Sequence, residues 1–176
     1  MDTLIPIITR ENTCGFSGYR PEKLPWRGDE TDARCLRLKA DIDGAVDSAY
    51  ADGMRHFVCG MARGCDMYFC ESVMALRSRT GGVTVEAAVP HERQSAGWPA
   101  EDAARYDRLL ALCDIRTVVS AEYSRGAMSK RNRYMVNRSS TLIAVYDGQT
   151  GGTSYTVSYA KKRGVRLIVL APSLLL

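Results

Sequence analysis

The sequence has little from which to build a metal centre. Only two histidines, His56 and His91, occur in 176 residues. The six cysteines, Cys14, Cys35, Cys59, Cys65, Cys70 and Cys113, are scattered and include no C-x-x-C pair. A structural zinc site needs four such ligands at short spacings. The cysteines are therefore expected to act as small buried hydrophobes, and no metal is expected. Long apolar runs are also missing, since nothing approaches the roughly 18–20 residues of a spanning helix. The opening stretch, MDTLIPIITRENT, lacks the basic and hydrophobic regions of a secretion signal. The expectation is a cytoplasmic protein that does not enter a membrane. Lysine is scarce too: there are five, at 23, 39, 130, 161 and 162, against nineteen arginines.

What is present is an ordinary globular composition, with 45% hydrophobic and 25% charged residues and a net charge of +4. The length suits one domain, residues 1–176, with a proper core. The arginine excess permits an anionic ligand, because guanidinium is a planar fork matched to phosphate and carboxylate. It equally reflects a GC-rich genome.

Apolar runs alternate with helical spacings along the chain. Strands are expected at 13–17, 55–60, 82–90, 115–120, 141–146 and 165–172. Helices are expected at 30–52, 65–78, 101–113, from about Met128 onward, and at 151–164. In the first helix, Cys35, Leu38, Ile42, Ala45 and Ala49 form one apolar stripe, and Gly53 fits its C-terminal end. Tyr155 or Thr156, with Tyr159 and Ala160, is expected to face inward from the last helix. The apolar tail, SLLL (173–176), is expected to pack on a neighbour or back on the core. The pattern predicts an α/β fold: one Rossmann-like, doubly wound domain with a mostly parallel sheet of about six strands and helices on both faces. Strand order is not readable from it. Ligands of such sheets bind at the carboxyl ends of the strands, so the turns that follow the strands converge on one edge.

Four of those turns carry chemistry. Strand one leads into Gly18-Tyr19-Arg20-Pro21. Strand two leads into Gly60-Met61-Ala62-Arg63-Gly64, then Cys65-Asp66. Strand three leads into Pro90-His91-Glu92-Arg93-Gln94, with Trp98 beyond. Strand five leads into Asp147-Gly148-Gln149-Thr150-Gly151-Gly152-Thr153. Glycine lets a backbone approach a ligand closely, the following helix N-termini offer free N–H groups, and arginine can complete a phosphate site. Each turn alone is also how short βα connections are built. G-x-G-x-x-G and G-x-x-x-x-G-K-[ST] are both absent, which excludes the usual dinucleotide fingerprint and the P-loop. Asp66 either favours the helix dipole or accepts from a ribose hydroxyl or base amine. Tyr19 and Trp98 either stack on a base or close the crevice. His91 lies on the functional edge, whereas His56 starts a strand at the other edge and reads as structural. The basic stretch SKRNRYMVNRS (129–139) either forms a solvated face or presents Arg131, Asn132 and Arg133 to the crevice. On a helix Arg131 shares a face with Met135, while Arg133 points elsewhere.

CGMARGCD, AAVPHERQ, RNRYMV and LIAVYDGQTGGTSYTVSYA, in that order and spacing, resemble the SLOG superfamily, which joins the Lonely-guy phosphoribohydrolases to the DNA-processing A proteins. FSGYRPEKLPW (16–26) brings the likeness closer to the bacterial YpsA-like branch. The resemblance runs from about Cys14 to Pro172. It implies a Rossmann-like fold that binds a nucleotide or nucleotide-derived ligand, NAD or an ADP-ribose-like molecule included. It also implies a binding set of Gly18, Arg20, Gly60, Arg63, Gly64, Asp66, Arg131, Arg133, Gly151, Gly152 and Thr153, and a dimer as a common assembly. Where the Lonely-guy enzymes carry a catalytic glutamate, this chain has Thr156. A hydroxyl cannot replace a carboxylate in that role, so the expectation is binding or sensing rather than cleavage. The phosphate is expected on the turns at 60–64 and 151–153, with Arg63, Arg131 or Arg133 in support and the base near Tyr19 or Trp98. Two alternatives stand beside this: a nucleotide N-glycosidic hydrolase with a relocated carboxylate (Glu92 or Asp66), and a single-stranded DNA binder resembling the DNA-processing A proteins.

Overall fold

The computed structural model describes residues 6–172; the apolar tail lies outside them. Six strands, β1 (Thr13–Ser17), β2 (His56–Cys59), β3 (Thr84–Val89), β4 (Ile115–Val118), β5 (Thr141–Val145) and β6 (Arg166–Leu170), form one sheet in the order β4-β3-β2-β1-β5-β6. Every neighbouring pair is parallel. Five helices connect them: α1 (Ala33–Ala51), α2 (Cys65–Thr80), α3 (Ala100–Leu112), α4 (Ala127–Arg138) and α5 (Gly152–Lys162). The chain winds outward from β1 to β4, returns through α4, and continues on the other side of β1 with β5 and β6. The order therefore reverses between β1 and β5, and such a switch point opens a crevice at the carboxyl edge.

Local chemistry explains the boundaries. Asp32 caps α1 by accepting from the Arg34 N–H at 2.8 Å, and Gly53, at φ 98°, lets the chain turn away after it. The central strands β1, β2, β3 and β5 are buried along their whole length, while the edge strands β4 and β6 are half-exposed. Parallel strands covered on both faces need uninterrupted apolar runs. TLIAV in β5 supplies one.

Helices α1, α2 and α3 pack together over one face, and α4 and α5 over the other. The first face holds the main core. Phe16 and Phe69 stack there with ring centroids 4.5 Å apart, and Phe57 lies against Phe69. Each such ring stabilises the fold by about 1.5–3 kcal/mol. Five cysteines are buried and Cys113 is half-buried, so the sulfurs serve as packing atoms. The α4–α5 face has smaller apolar clusters around Val136, Leu142 and Ala160, and around Val58, Ala88 and Met135. Thr156 and Ala160 face inward from α5 and Tyr159 is half-buried against the Val136 cluster, whereas Tyr155 is 42% exposed and stacks on Tyr159 from outside.

The α4 face also buries a polar network. His56 contacts Thr84 Oγ1 at 2.8 Å through Nδ1 and Glu86 Oε2 at 2.9 Å through Nε2. Thr117 and Tyr134 donate to Glu86 Oε1 at 2.7 and 2.6 Å. Burial pushes the Glu86 carboxyl up, but these hydrogen bonds outweigh it and hold the pKa down at about 2. His56 thus has structural partners. Among the described residues, no helix is long and apolar enough to cross a membrane.

Candidate functional site

The crevice at the β1–β5 reversal is a cavity of about 360 Å³. Its walls come from the turn after β1, the start of α2, the inner face of α4 and the start of α5. Of the residues singled out from sequence, Gly18, Tyr19, Arg20, Ala62, Asp66, Arg131, Asn132, Gly151, Gly152 and Thr153 line it. Lys23, Glu22, Ser17, Phe16, Met128 and Met135 line it too and escaped the sequence reading. Lys23 was the one with a legible signal, a cation two residues beyond Pro21 in the first turn.

One end of the cavity suits an anion. Gly151, at φ 141°, is the N-cap of α5 and offers no side chain to cap it. The Gly152, Thr153 and Ser154 N–H groups have no acceptor among the described residues. Lys23 folds across the same turn, and its ammonium donates to the Thr150 carbonyl. The Lys23 ammonium also lies 5.5 Å from the centre of the Tyr19 ring. Free N–H groups, a positive helix end and an ammonium together make a corner whose chemistry suits an anion.

The opposite end holds a buried pair. Asp66 is 5% exposed and Arg131 4% exposed. Asp66 Oδ2 accepts from the Ala62 N–H at 3.0 Å. Burial raises the Asp66 pKa, and the nearby Arg131 guanidinium and the Ala62 N–H restrain that rise. Burial correspondingly lowers the Arg131 pKa. Arg131 donates to the Gly60 carbonyl, and its Nε donates to Asn132 Oδ1 at 2.8 Å. Gly60 makes room for this: a Cβ there would lie 2.5 Å from Arg131 Cζ and 2.9 Å from Asp66 Oδ2.

The turn at 60–64 puts only Ala62 on the wall of the cavity. Two of its N–H groups find acceptors within the protein. The Met61 N–H points to Cys59 Sγ at 3.4 Å and that of Ala62 to Asp66. The Cys65 N–H donates to the Tyr19 carbonyl at 3.1 Å. Gly64, at φ 84°, packs against Tyr19 and Pro21, where a Cβ would meet the Tyr19 oxygen at 2.9 Å. The second turn is stitched to the first, and Gly64 permits that close approach. Gly60 and Gly64 support the cavity from behind.

Five other residues singled out from sequence, Arg63, Arg133, His91, Trp98 and Asp147, do not line this cavity. Arg63 turns outward to Asp102 at 2.6 Å and Glu22 at 2.9 Å. Arg133 is exposed, because two residues along a helix from Arg131 is about 200° around its axis. His91 lies outside this cavity, edge-on to Tyr123 with centroids 5.4 Å apart. Trp98 packs edge-on to Tyr106 at 5.4 Å. Asp147 acts one step back: it accepts from the Tyr19 hydroxyl at 2.8 Å, and the Asp147 and Gln149 N–H groups donate to that hydroxyl at 3.2 Å each. Burial pushes the Tyr19 phenol up to about 12, so it remains a neutral donor that ties the first turn to the last. Thr156, at the position compared with a catalytic glutamate, is buried and donates to the Gly152 carbonyl at 2.8 Å.

The comparisons with known proteins agree with this architecture. The chain is 31% identical over 140 residues to the uncharacterized SPbeta prophage-derived protein YoqJ of Bacillus subtilis (strain 168), covering 72% of this chain and 82% of that one. It is 23% identical over 154 residues to a UPF0398 protein of Bacillus thuringiensis (strain Al Hakam), covering 84% of this chain and 82% of that one. Among solved structures, DNA processing protein A (DprA) of Streptococcus pneumoniae superposes with a TM-score of 0.59 at 13% identity, over 89% of this chain and 49% of that one. DNA processing protein A of Helicobacter pylori, whose structure is described for its single-stranded DNA binding mode, also gives 0.59, at 16% identity, over 89% of this chain and 64% of that one. The chain thus spans less than two thirds of either solved protein, and at these identities the likeness is one of fold. The model of the YspA SLOG family (YpsA) matches residues 14–167, and the chain belongs to that family.

Proposed function

We propose that this protein binds a small phosphate-bearing ligand, a nucleotide or nucleotide derivative, in the cavity at the β1–β5 reversal. The observation that carries the reading is the pairing of two unlike ends in one hollow. The uncapped α5 N-terminus with Lys23 takes the phosphate. Asp66, buried across the cavity, accepts from ribose hydroxyls or a base amine. The volume of about 360 Å³ lies near the lower bound of ligand pockets, roughly 300–1,000 Å³, which favours a single nucleotide unit in this hollow. Arg131 orders the wall and holds Asn132 in place rather than reaching out as a free anion clamp.

Binding is favoured over cleavage. Thr156 supplies no carboxylate, and its hydroxyl is engaged by Gly152. Glu92 pairs with Arg116 outside the cavity, and Glu22, the other carboxylate on the cavity wall, is exposed and paired with Arg63, so Asp66 has no buried carboxylate in the cavity with which to share general acid and base work. The test is a melting-temperature screen of the purified chain against mononucleotides, with free base assayed in the same samples. A nucleotide at a hundred times its dissociation constant is expected to stabilise the fold by about 2.7 kcal/mol and to remain intact. Release of free base would favour the hydrolase. No shift with any mononucleotide, but a mobility shift of single-stranded DNA that collapses between low and moderate salt, would favour the strand-binding reading.

A further inference from the structure

A second hollow of about 370 Å³ opens beside the first on the same edge of the sheet. Arg20 and Met128 line both. They form the ridge between the two, with an Arg20 Nη2 to Met128 Sδ contact of 3.9 Å. Arg20 is exposed and has no carboxylate partner among the described residues. Its charge is therefore available at the junction. Beyond the ridge, the hollow is walled by Trp98, Tyr123 and His91. Tyr123 is 76% exposed, so its ring on the wall of the hollow is open to a ligand.

Gln94 adds an unmet hydrogen bond. It lines the hollow and is 5% exposed. Its Nε2 donates to the Gly60 carbonyl at 3.0 Å, which fixes the orientation of the amide. Its Oε1 is then left buried with no partner among the described residues. A buried acceptor without a donor costs about 1–3 kcal/mol, and an exocyclic amine of a base is the kind of group that relieves it.

We propose that the second hollow is a nucleobase subsite, and that the two hollows together take a nucleoside–phosphate–nucleoside unit, a free dinucleotide. The proposal rests on the nucleotide reading of the first cavity. The terminal phosphate sits at the α5 N-terminus, and the bridging phosphate lies on Arg20. The second base stacks against Tyr123 or Trp98, with Gln94 accepting from its amine.

Calorimetric titration of the purified full chain with AMP and with the 5′-phosphorylated diadenylate pApA tests this. The diadenylate is expected to bind at least about tenfold tighter than AMP, as one added base stack allows. Tyr123→Ala, at an exposed position that the fold does not need, and Trp98→Ala are expected to remove most of that gain while AMP affinity stays within about twofold. Equal affinity for AMP and pApA, or loss of both ligands alike in the two variants, overturns the second subsite and leaves the first cavity standing. Binding of neither ligand overturns both. A 5′-phosphorylated adenylate dodecamer that binds far tighter than pApA, with a steep loss in salt, overturns the assignment to a free dinucleotide in favour of a strand.

Discussion

At the scale of single residues, Gly60 shows how a site can depend on an absence. Its carbonyl takes hydrogen bonds from both Arg131 and Gln94, and no atom larger than hydrogen fits on its Cα beneath the guanidinium. Gly60→Ala must displace Arg131 from its carbonyl or push Asp66 off Ala62. Overpacking of a buried site costs about 1–3 kcal/mol. Urea denaturation of the variant is expected to show a loss of that size, whereas an unchanged midpoint would mean that the guanidinium swings aside freely. The glycine pattern was visible in the sequence, but its purpose was not. Close approach to a ligand and close approach to a neighbouring side chain demand the same residue, and only the fold says which neighbour arrives. Arg63 points away from the cavity for a related reason. Glu22 and Asp102, 41 and 39 residues away in the chain, capture it.

At the scale of elements, periodicity carried most of the information. Strands with buried runs and helices with one apolar stripe lie within about two residues of their expected bounds where patterns are strong, as in α2, β5 and α4. Lys23 was missed because it sits on a short 3₁₀ turn, Pro21–Lys23, and such turns have no period to read. The pairing of β2, β3 and β4 has a consequence that no single element shows. It sets His56, Glu86 and Thr117 on one face of neighbouring strands, each two positions further along in register, and α4 closes the group with Tyr134. The Glu86 pKa is depressed to about 2 from an ordinary 4.5. Its contribution is therefore complete above pH 4.5 and is lost as pH falls through about 2. The shift corresponds to roughly 2–4 kcal/mol. Denaturation midpoints measured from pH 7 down to 2 are expected to fall more for the native chain than for Glu86→Gln, which starts less stable. Parallel curves for the two would contradict the network.

At the scale of the whole molecule, strand order decides where the cavity opens. No local pattern reveals the order β4-β3-β2-β1-β5-β6, because parallel pairs form between segments far apart in the chain. Once the order is known, the reversal between β1 and β5 selects the turns after those two strands over the turn after β2. It also brings α4 across, so that Arg131 and Asn132 meet Gly152 and Asp66 in one hollow. The central claim is that the α5 N-terminus and Lys23 form the phosphate corner of this hollow. Lys23 is exposed and its ammonium donates to one loop carbonyl, that of Thr150, so Lys23→Ala is expected to leave the fold intact while removing one charge-assisted contact. Titration of the native chain and of Lys23→Ala with AMP, at equal melting temperatures without ligand, tests the claim most directly. Saturable binding to the native chain is expected, with a loss of roughly ten- to a hundredfold in the variant, about the 1.5–3 kcal/mol of a hydrogen bond to a charged group. Equal affinity in the two proteins would contradict it.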